Sequence, residues 1–190
     1  MEAFLVSTGV VALAEIGDKT QLLALVLAAK FRKPIPIILG ILVATVVNHA
    51  VAGAAGAWIS ALVGPTAMRW ILGLSFIAMA AWTLVPDQYD DDDKQDAAPR
   101  FGVFVTTLIA FFLLEMGDKT QIATVMLAAK FDELAAVVVG TTLGMLIANV
   151  PVVFAGKLAA DRIPFKAIRI VAAAIFAAIG AWVLVAGVPG

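Results

Sequence analysis

Two short polar segments lie inside otherwise apolar parts of the sequence. Glu15-Ile-Gly-Asp-Lys-Thr-Gln21 and Glu115-Met-Gly-Asp-Lys-Thr-Gln121 differ at one position and are 100 residues apart. Each segment offers two carboxylates, a lysine, a threonine hydroxyl and a glutamine carbonyl. Because carboxylate and carbonyl oxygens are the ligands that hard cations prefer, the pair of segments predicts a cation site.

The candidate metal ligands are Glu15, Asp18, Glu115 and Asp118. On a continuous helix, each glutamate and the aspartate three residues later would project from one face, and the glutamine would follow about a turn further on. The other cation-binding candidates are Gln21 and Gln121, with Lys19, Thr20, Lys119, Thr120, Asn48 and Asn149 in supporting positions. The glycine within each segment would permit close helix approach or local unwinding.

The charge of the combined segments indicates the kind of ligand. Four carboxylates and two lysines, all ionised, sum to −2, which one divalent cation would neutralise. The chain has no cysteine and one histidine, so its oxygen donors favour Ca²⁺, Mn²⁺ or Mg²⁺ over Zn²⁺ or copper. Without the metal, crowded carboxylates out of water should take up protons instead. Competition between protons and metal is the physical basis of an antiporter.

Alternative roles exist for several of these residues. Glu15 with Lys19, and Glu115 with Lys119, are spaced as i,i+4 pairs that would neutralise one another on a helix. Each motif threonine could bind the cation or bond its own helix backbone. Each of the two asparagines could line the site or join helices through hydrogen bonds.

The composition places these segments in a membrane. The chain is 63% hydrophobic and 14% charged over 190 residues, against about 25% charged in a typical soluble domain. A net charge of −1, without a basic face, gives no reason to expect nucleic acid as a partner. Apolar stretches long enough to span a bilayer as helices occur at 4–29, 35–63, 68–85, 101–129, 134–158 and 167–188. The longer stretches must tilt or break.

The repeat extends well beyond the two polar segments. A shift of 100 residues also superposes Gly40 on Gly140, Phe76 on Phe176, and Ala81-Trp82 on Ala181-Trp182. Since the repeated unit has three helices, the second copy must run in the opposite direction. We therefore predict an all-α integral membrane protein with six transmembrane helices in a 3+3 inverted-topology repeat. Its parts are a first repeat at 1–85, an acidic linker at 86–100 and a second repeat at 101–190.

Basic residues predict the orientation. The connections after the first, third and fifth helices hold most of them: Lys30, Arg32, Lys33, Lys94, Arg100, Lys157, Arg162, Lys166 and Arg169. By the positive-inside rule these lie in the cytoplasm together with loop 86–100, and both termini lie outside. The acidic run in that loop is expected to be a solvated linker, with a regulatory metal site as the alternative.

The two motifs, set in three-helix halves joined by an acidic loop, resemble the Gdt-type cation/proton exchanger family. That family includes Golgi and chloroplast manganese and calcium transporters and bacterial manganese exporters, and it is placed near the lysine-exporter superfamily in fold. The resemblance covers almost the whole chain. It implies that the first and fourth helices bring Glu15, Asp18, Glu115 and Asp118 together as one site. It also implies export of Mn²⁺, or of Ca²⁺, against protons across a bacterial plasma membrane.

The expected partners are thus the lipid bilayer, the transported cation and protons. No cofactor is expected, and the sequence is compatible with a monomer or a homodimer.

Two rival functions remain. An exporter of Na⁺ or a cationic amino acid could use the same carboxylates to hold its substrate. An intramembrane aspartyl protease could use Asp18 and Asp118 as its catalytic pair. The adjacent lysines oppose a pair of aspartates that shares one proton, so we expect that the protein is not an enzyme.

Overall fold

The structure, a computed structural model, describes residues 1–85, 102–155 and 165–186, and within these ranges it holds eight α-helices and no strand. The first half contains α1 (Glu2–Glu15), α2 (Lys19–Phe31), α3 (Pro34–Leu62) and α4 (Pro65–Leu84). The second half contains α5 (Gly102–Glu115), α6 (Lys119–Lys130), α7 (Leu134–Ala155) and α8 (Phe165–Ala186). The predicted linker at 86–100 lies outside the described residues.

Within the described ranges, three segments are long and apolar enough on their own to cross a membrane: Pro34–Leu62, Thr66–Leu84 and Leu134–Phe154. Local sequence explains where two of these helices begin. Pro34 and Pro65 occupy the first helical turn of α3 and α4, where a missing N–H has no cost and the fixed φ favours the helix. The all-helical architecture predicted from composition is confirmed for the described residues.

The apolar stretches 4–29 and 101–129 each form two helices instead of one. The break falls inside each polar motif, where Gly17 has a φ of 85° and Gly117 a φ of 78°. Such positive φ values are readily adopted by glycine and strained for other residues. For these two stretches the expectation of a tilt or a break is therefore confirmed as a break, which occurs at the residues of chemical interest, whereas stretch 35–63 forms the single continuous helix α3.

Helices from the two halves pack in reciprocal pairs. α1 packs on α7 and α5 packs on α3. A Cβ at Gly140 would lie 2.6 Å from the carbonyl oxygen of Phe4, and one at Gly40 would lie 2.9 Å from that of Phe104. The two contacts are related by the same shift of 100 residues, so each half presents an equivalent surface to the other, as in a two-fold interface.

The final helices of the two halves meet each other directly. α4 packs along α8, and the rings of Phe76 and Phe176 stack with centroids 6.2 Å apart. Outward-facing positions carry large apolar side chains, for example Trp58 and Trp182, which are 66% and 67% exposed. The interior holds the four motif carboxylates instead, so the molecule places acidic groups inside and apolar groups outside, as lipid requires.

Candidate functional site

The two motif aspartates begin new helices. α1 ends at Glu15 and Asp18 is the N-cap of α2, while α5 ends at Glu115 and Asp118 is the N-cap of α6. A carboxylate at this position is favoured by the unpaired N–H groups and the positive end of the helix dipole. The expectation that each glutamate and aspartate share one face of a continuous helix is wrong, because the positive-φ glycine reorients the chain between them.

Both motif glutamines bond to the backbone of their own break. The side-chain oxygen of Gln21 accepts the Gly17 N–H at 3.0 Å, and that of Gln121 accepts the Gly117 N–H at 2.8 Å. The amide nitrogen of Gln21 also donates to the carbonyl oxygen of Ala148 in α7 at 3.0 Å. Their assignment as cation ligands stays a prediction, and the bonds observed here stabilise the broken helices.

The threonines of both motifs converge on one glutamate. The Thr20 hydroxyl donates to Oε2 of Glu15 at 2.6 Å, and the Thr120 hydroxyl donates to the other oxygen, Oε1. Neither alternative from the sequence, cation ligation or bonding to the helix backbone, describes these two bonds. Glu15 is fully buried, and a hydroxyl from each half of the chain fixes the position of its carboxylate.

Three acidic side chains from the two motifs form a compact group. Single carboxylate oxygens of Glu15, Glu115 and Asp118 all lie within 4.8 Å of one another, and all three residues are buried. Among the described residues, both oxygens of Glu115 have no hydrogen-bond partner. A buried carboxylate without a donor is costly, so this group is suited to receive a cation or protons.

The motif lysines pair across the two halves. Lys119 Nζ lies 2.8 Å from Asp18 Oδ1, and Lys19 Nζ lies 3.2 Å from Asp118 Oδ1. The first pair is almost fully buried, whereas the Lys19 side chain is 25% exposed. The alternative in which each lysine neutralises the glutamate of its own motif is therefore not the arrangement in the structure. The ion pairs instead link the halves.

The two asparagines make different contacts. Asn48 Nδ2 donates to the carbonyl oxygen of Phe112 in α5 at 3.1 Å, which joins helices of the two halves. Asn149 Nδ2 donates to the carbonyl oxygen of Met145 in its own helix, also at 3.1 Å. Sequence reasoning missed the role of the Ala148 carbonyl, because a backbone acceptor leaves no signature in the residue type.

Comparison with known proteins decides the family. Residues 3–91 and 103–190 match the family described as "Divalent cation/proton antiporter GDT1". The chain belongs to the GDT1 family. The gap between the two matched segments falls at the predicted linker, and the segments together cover both motifs, so the match extends to nearly all of the described residues.

Several curated relatives align with most of this GDT1 chain. A protein of Vibrio cholerae serotype O1 named "Putative manganese exporter" is 51% identical over 177 residues, covering 93% of this chain and 87% of its own. A GDT1-like protein of Synechocystis is 28% identical, covering 93% of each chain. GDT1-like protein 3 of Oryza sativa subsp. indica is 24% identical, covering 92% of this chain and 71% of its own.

No solved structure matches this chain. The family and the apolar helices together identify a membrane transport protein, not an enzyme. The aspartyl protease interpretation is therefore discarded, in agreement with the lysines that pair with both motif aspartates.

Proposed function

We propose that this protein exports a divalent cation, Mn²⁺ ahead of Ca²⁺, in exchange for protons through one site built from both motifs. The observation that carries the proposal is the convergence of Glu15, Glu115 and Asp118 within 4.8 Å of one another. Oxygens that lie opposite each other across a Ca²⁺ ion are about 4.6–5.2 Å apart, since Ca²⁺–O distances are about 2.3–2.6 Å. Since the oxygens of the group are at most 4.8 Å apart, it can close around Ca²⁺ or a smaller divalent ion with little movement. The relative named "Putative manganese exporter" supports Mn²⁺ as the first choice.

Proton exchange follows from the same crowding. Carboxylates this close, buried and away from water repel one another when ionised, so a departing cation must be replaced by positive charge. Protons can supply that charge by binding to the carboxylates, and they need no additional room in the site. The site therefore binds either the cation or protons. A cycle that carries the cation out of the cell and protons into it is an antiport.

The transport mechanism requires a site reachable from both sides of the membrane. We infer six spans, in which α1–α2 and α5–α6 each form one broken span and the remaining four helices form one each. The reciprocal contacts of Gly40 and Gly140 and the stacking of Phe76 on Phe176 support a 3+3 inverted repeat with halves at 1–85 and 101–190. Broken helices that meet between inverted repeats are characteristic of transporter binding sites.

The orientation belongs to the same proposal. The N-terminal amine of Met1 lies 3.7 Å from Oε2 of Glu133 in the connection between α6 and α7. This contact supports placing the N-terminus and that connection on one side, which the charge distribution assigns to the outside. Loop 86–100 would then be cytoplasmic and the membrane a bacterial plasma membrane.

Transport by purified protein in liposomes tests the proposal. We expect Mn²⁺ to move when a pH gradient is imposed, with counter-movement of protons. Glu115→Gln should lower the rate by at least about tenfold, since the loss of a residue that only supports a metal ligand already costs about 10–100-fold. Glu2→Gln, at an exposed position of α1, is the matched control and should transport normally.

The competing substrates are tested in the same liposomes. Flux of Na⁺ or lysine in place of Mn²⁺ and Ca²⁺ would show that the ion assignment is wrong. Mn²⁺ flux that is insensitive to the pH gradient would show that the coupling to protons is wrong.

A further inference from the structure

The two motifs are nearly identical in sequence but are held differently. Gln21 is buried, and its amide donates to the Ala148 carbonyl in α7. The shift of 100 residues makes the Asn48 carbonyl in α3 the equivalent acceptor for Gln121. Within the described ranges no such bond exists, and Gln121 is only half-buried. The first motif is thus tied to the opposite half, and the second is not.

Other contacts show the same inequality. Glu15 accepts both threonine hydroxyls, whereas Glu115 has no hydrogen-bond partner among the described residues. Met116, in the second break, is 57% exposed, whereas its counterpart Ile16 is half-buried. At the glutamate and the glutamine these differences leave the first motif more tightly held, whereas the second motif has the bond from the Thr120 N–H to Asp118 and the more buried lysine.

The motifs differ only at Ile16 and Met116, so the glutamates, threonines and glutamines that make the unequal bonds cannot by themselves cause the difference. A structure with equivalent halves can exist in a second form in which the two motifs exchange environments, at a free energy close to that of the first. In a repeat with inverted halves, that second form opens the site to the opposite side of the membrane. The unequal bonding is then a property of one state in the transport cycle.

We propose that Gln21 and Gln121 are positioning residues that act in alternation. Gln21 holds the first motif against the Ala148 carbonyl in the state described here. In the state that faces the other side of the membrane, Gln121 holds the second motif against the Asn48 carbonyl, and Gln21 releases α7. This inference deepens the proposed antiport and rests on its inverted-repeat architecture.

One sequence difference provides a rival explanation. Pro151 lies inside α7, where α3 has Val51. A proline within a helix leaves the carbonyl four residues earlier, here that of Ile147, without its helical N–H and distorts that turn. In this explanation the distortion makes the neighbouring Ala148 carbonyl a permanently better acceptor than that of Asn48. Under this explanation Gln121 never forms the equivalent bond, and its replacement has no effect on the balance between states.

The absence of cysteine provides a clean background for testing the proposal. Met116→Cys, exposed at the second break, would carry a trifluoromethyl label, after a check that the labelled protein still transports Mn²⁺. Fluorine NMR in nanodiscs then measures the populations of the two states. Gln21→Met should shift the population away from the state described here, and Gln121→Met should shift it towards that state. Each shift should be roughly fivefold, the value of one net hydrogen bond.

The pair of variants is internally matched. Both substitutions remove the hydrogen bond to the glycine N–H of their own motif, so this loss affects the two variants equally. The direction of the population shift then distinguishes the role of Gln21 from that of Gln121. The double variant should return to within about twofold of the wild-type ratio, because the two effects cancel. If either methionine variant fails to fold, Gln21→Asn and Gln121→Asn, which are one methylene shorter, should give the same pair of directions.

Three results would overturn the inference: shifts in the same direction, no effect of the Gln121 replacement, or a single resonance in all proteins. The transport assay is independent of these populations. Opposite shifts in a protein whose Mn²⁺ flux ignores the pH gradient would support the alternation while refuting proton coupling. Normal antiport with shifts in one direction would refute the alternation alone.

Discussion

The buried ion pair between Lys119 and Asp18 allows a quantitative prediction. Lys119 is 2% exposed and Asp18 is fully buried, with 2.8 Å between Nζ and Oδ1. Removing one partner of such a pair leaves a buried charge without compensation, which costs about 3–5 kcal/mol. Lys119→Met should lower the free energy of unfolding by this amount. The counterpart Lys19→Met should cost less than Lys119→Met, because Lys19 is 25% exposed and part of its charge is already solvated, although the Asp118 carboxylate that it leaves behind is buried.

Unfolding by a denaturing detergent, in the presence of a chelator, measures both losses. The chelator matters because a bound metal ion would compensate the released carboxylate. A double-mutant cycle of Lys119→Met with Asp18→Asn should show a favourable coupling of about 2–3 kcal/mol, since the double variant buries neither charge. Equal losses for the two lysines would contradict the expected effect of burial, and no coupling in the cycle would refute the pairing of Lys119 with Asp18.

Two further predictions concern glycines. Gly117→Ala should destabilise the protein by about 1–2 kcal/mol through its positive φ alone, because a Cβ there meets nothing within 4 Å. Gly117→Asn should cost less, since asparagine tolerates this conformation, and equal losses in thermal unfolding would contradict the backbone explanation. Gly56→Ala should destabilise by more than about 3 kcal/mol, because its Cβ would lie 2.1 Å from the Val125 carbonyl oxygen. The control Gly9→Ala, at an open helical position, should be neutral or stabilising by up to about 1 kcal/mol. Similar unfolding temperatures for Gly56→Ala and Gly9→Ala would refute the close packing of Gly56 on Val125.

Sequence reasoning succeeded where residue type and spacing determine the outcome. The apolar stretches predicted the helices, and the shift of 100 residues anticipated contacts such as Phe76 on Phe176. The burial of the motif carboxylates followed from the cost of charge in lipid. Each of these depends on local composition or on the repeat, both of which are visible in the sequence.

The partners within the site could not be predicted from spacing. Lys19 has Glu15 four residues away in the chain, yet its ion pair is with Asp118 of the other motif. The break at Gly17 rotates α2 relative to α1, so the i,i+4 relation that holds within a helix does not apply across it. The convergence of both threonine hydroxyls on Glu15 is likewise a property of how the halves meet, which two near-identical motifs cannot specify.

The cross-paired lysines sharpen the argument from charge. The pairs Lys119–Asp18 and Lys19–Asp118 each cancel when ionised, so the −2 left in the site belongs to Glu15 and Glu115. One glutamate accepts two hydroxyls and the other has no hydrogen-bond partner among the described residues. A divalent cation between them would neutralise the pair, as would two protons. In the proposed antiport the lysines thus set the charge to be exchanged, and removing either one should alter which cations the site holds as well as the stability of the protein.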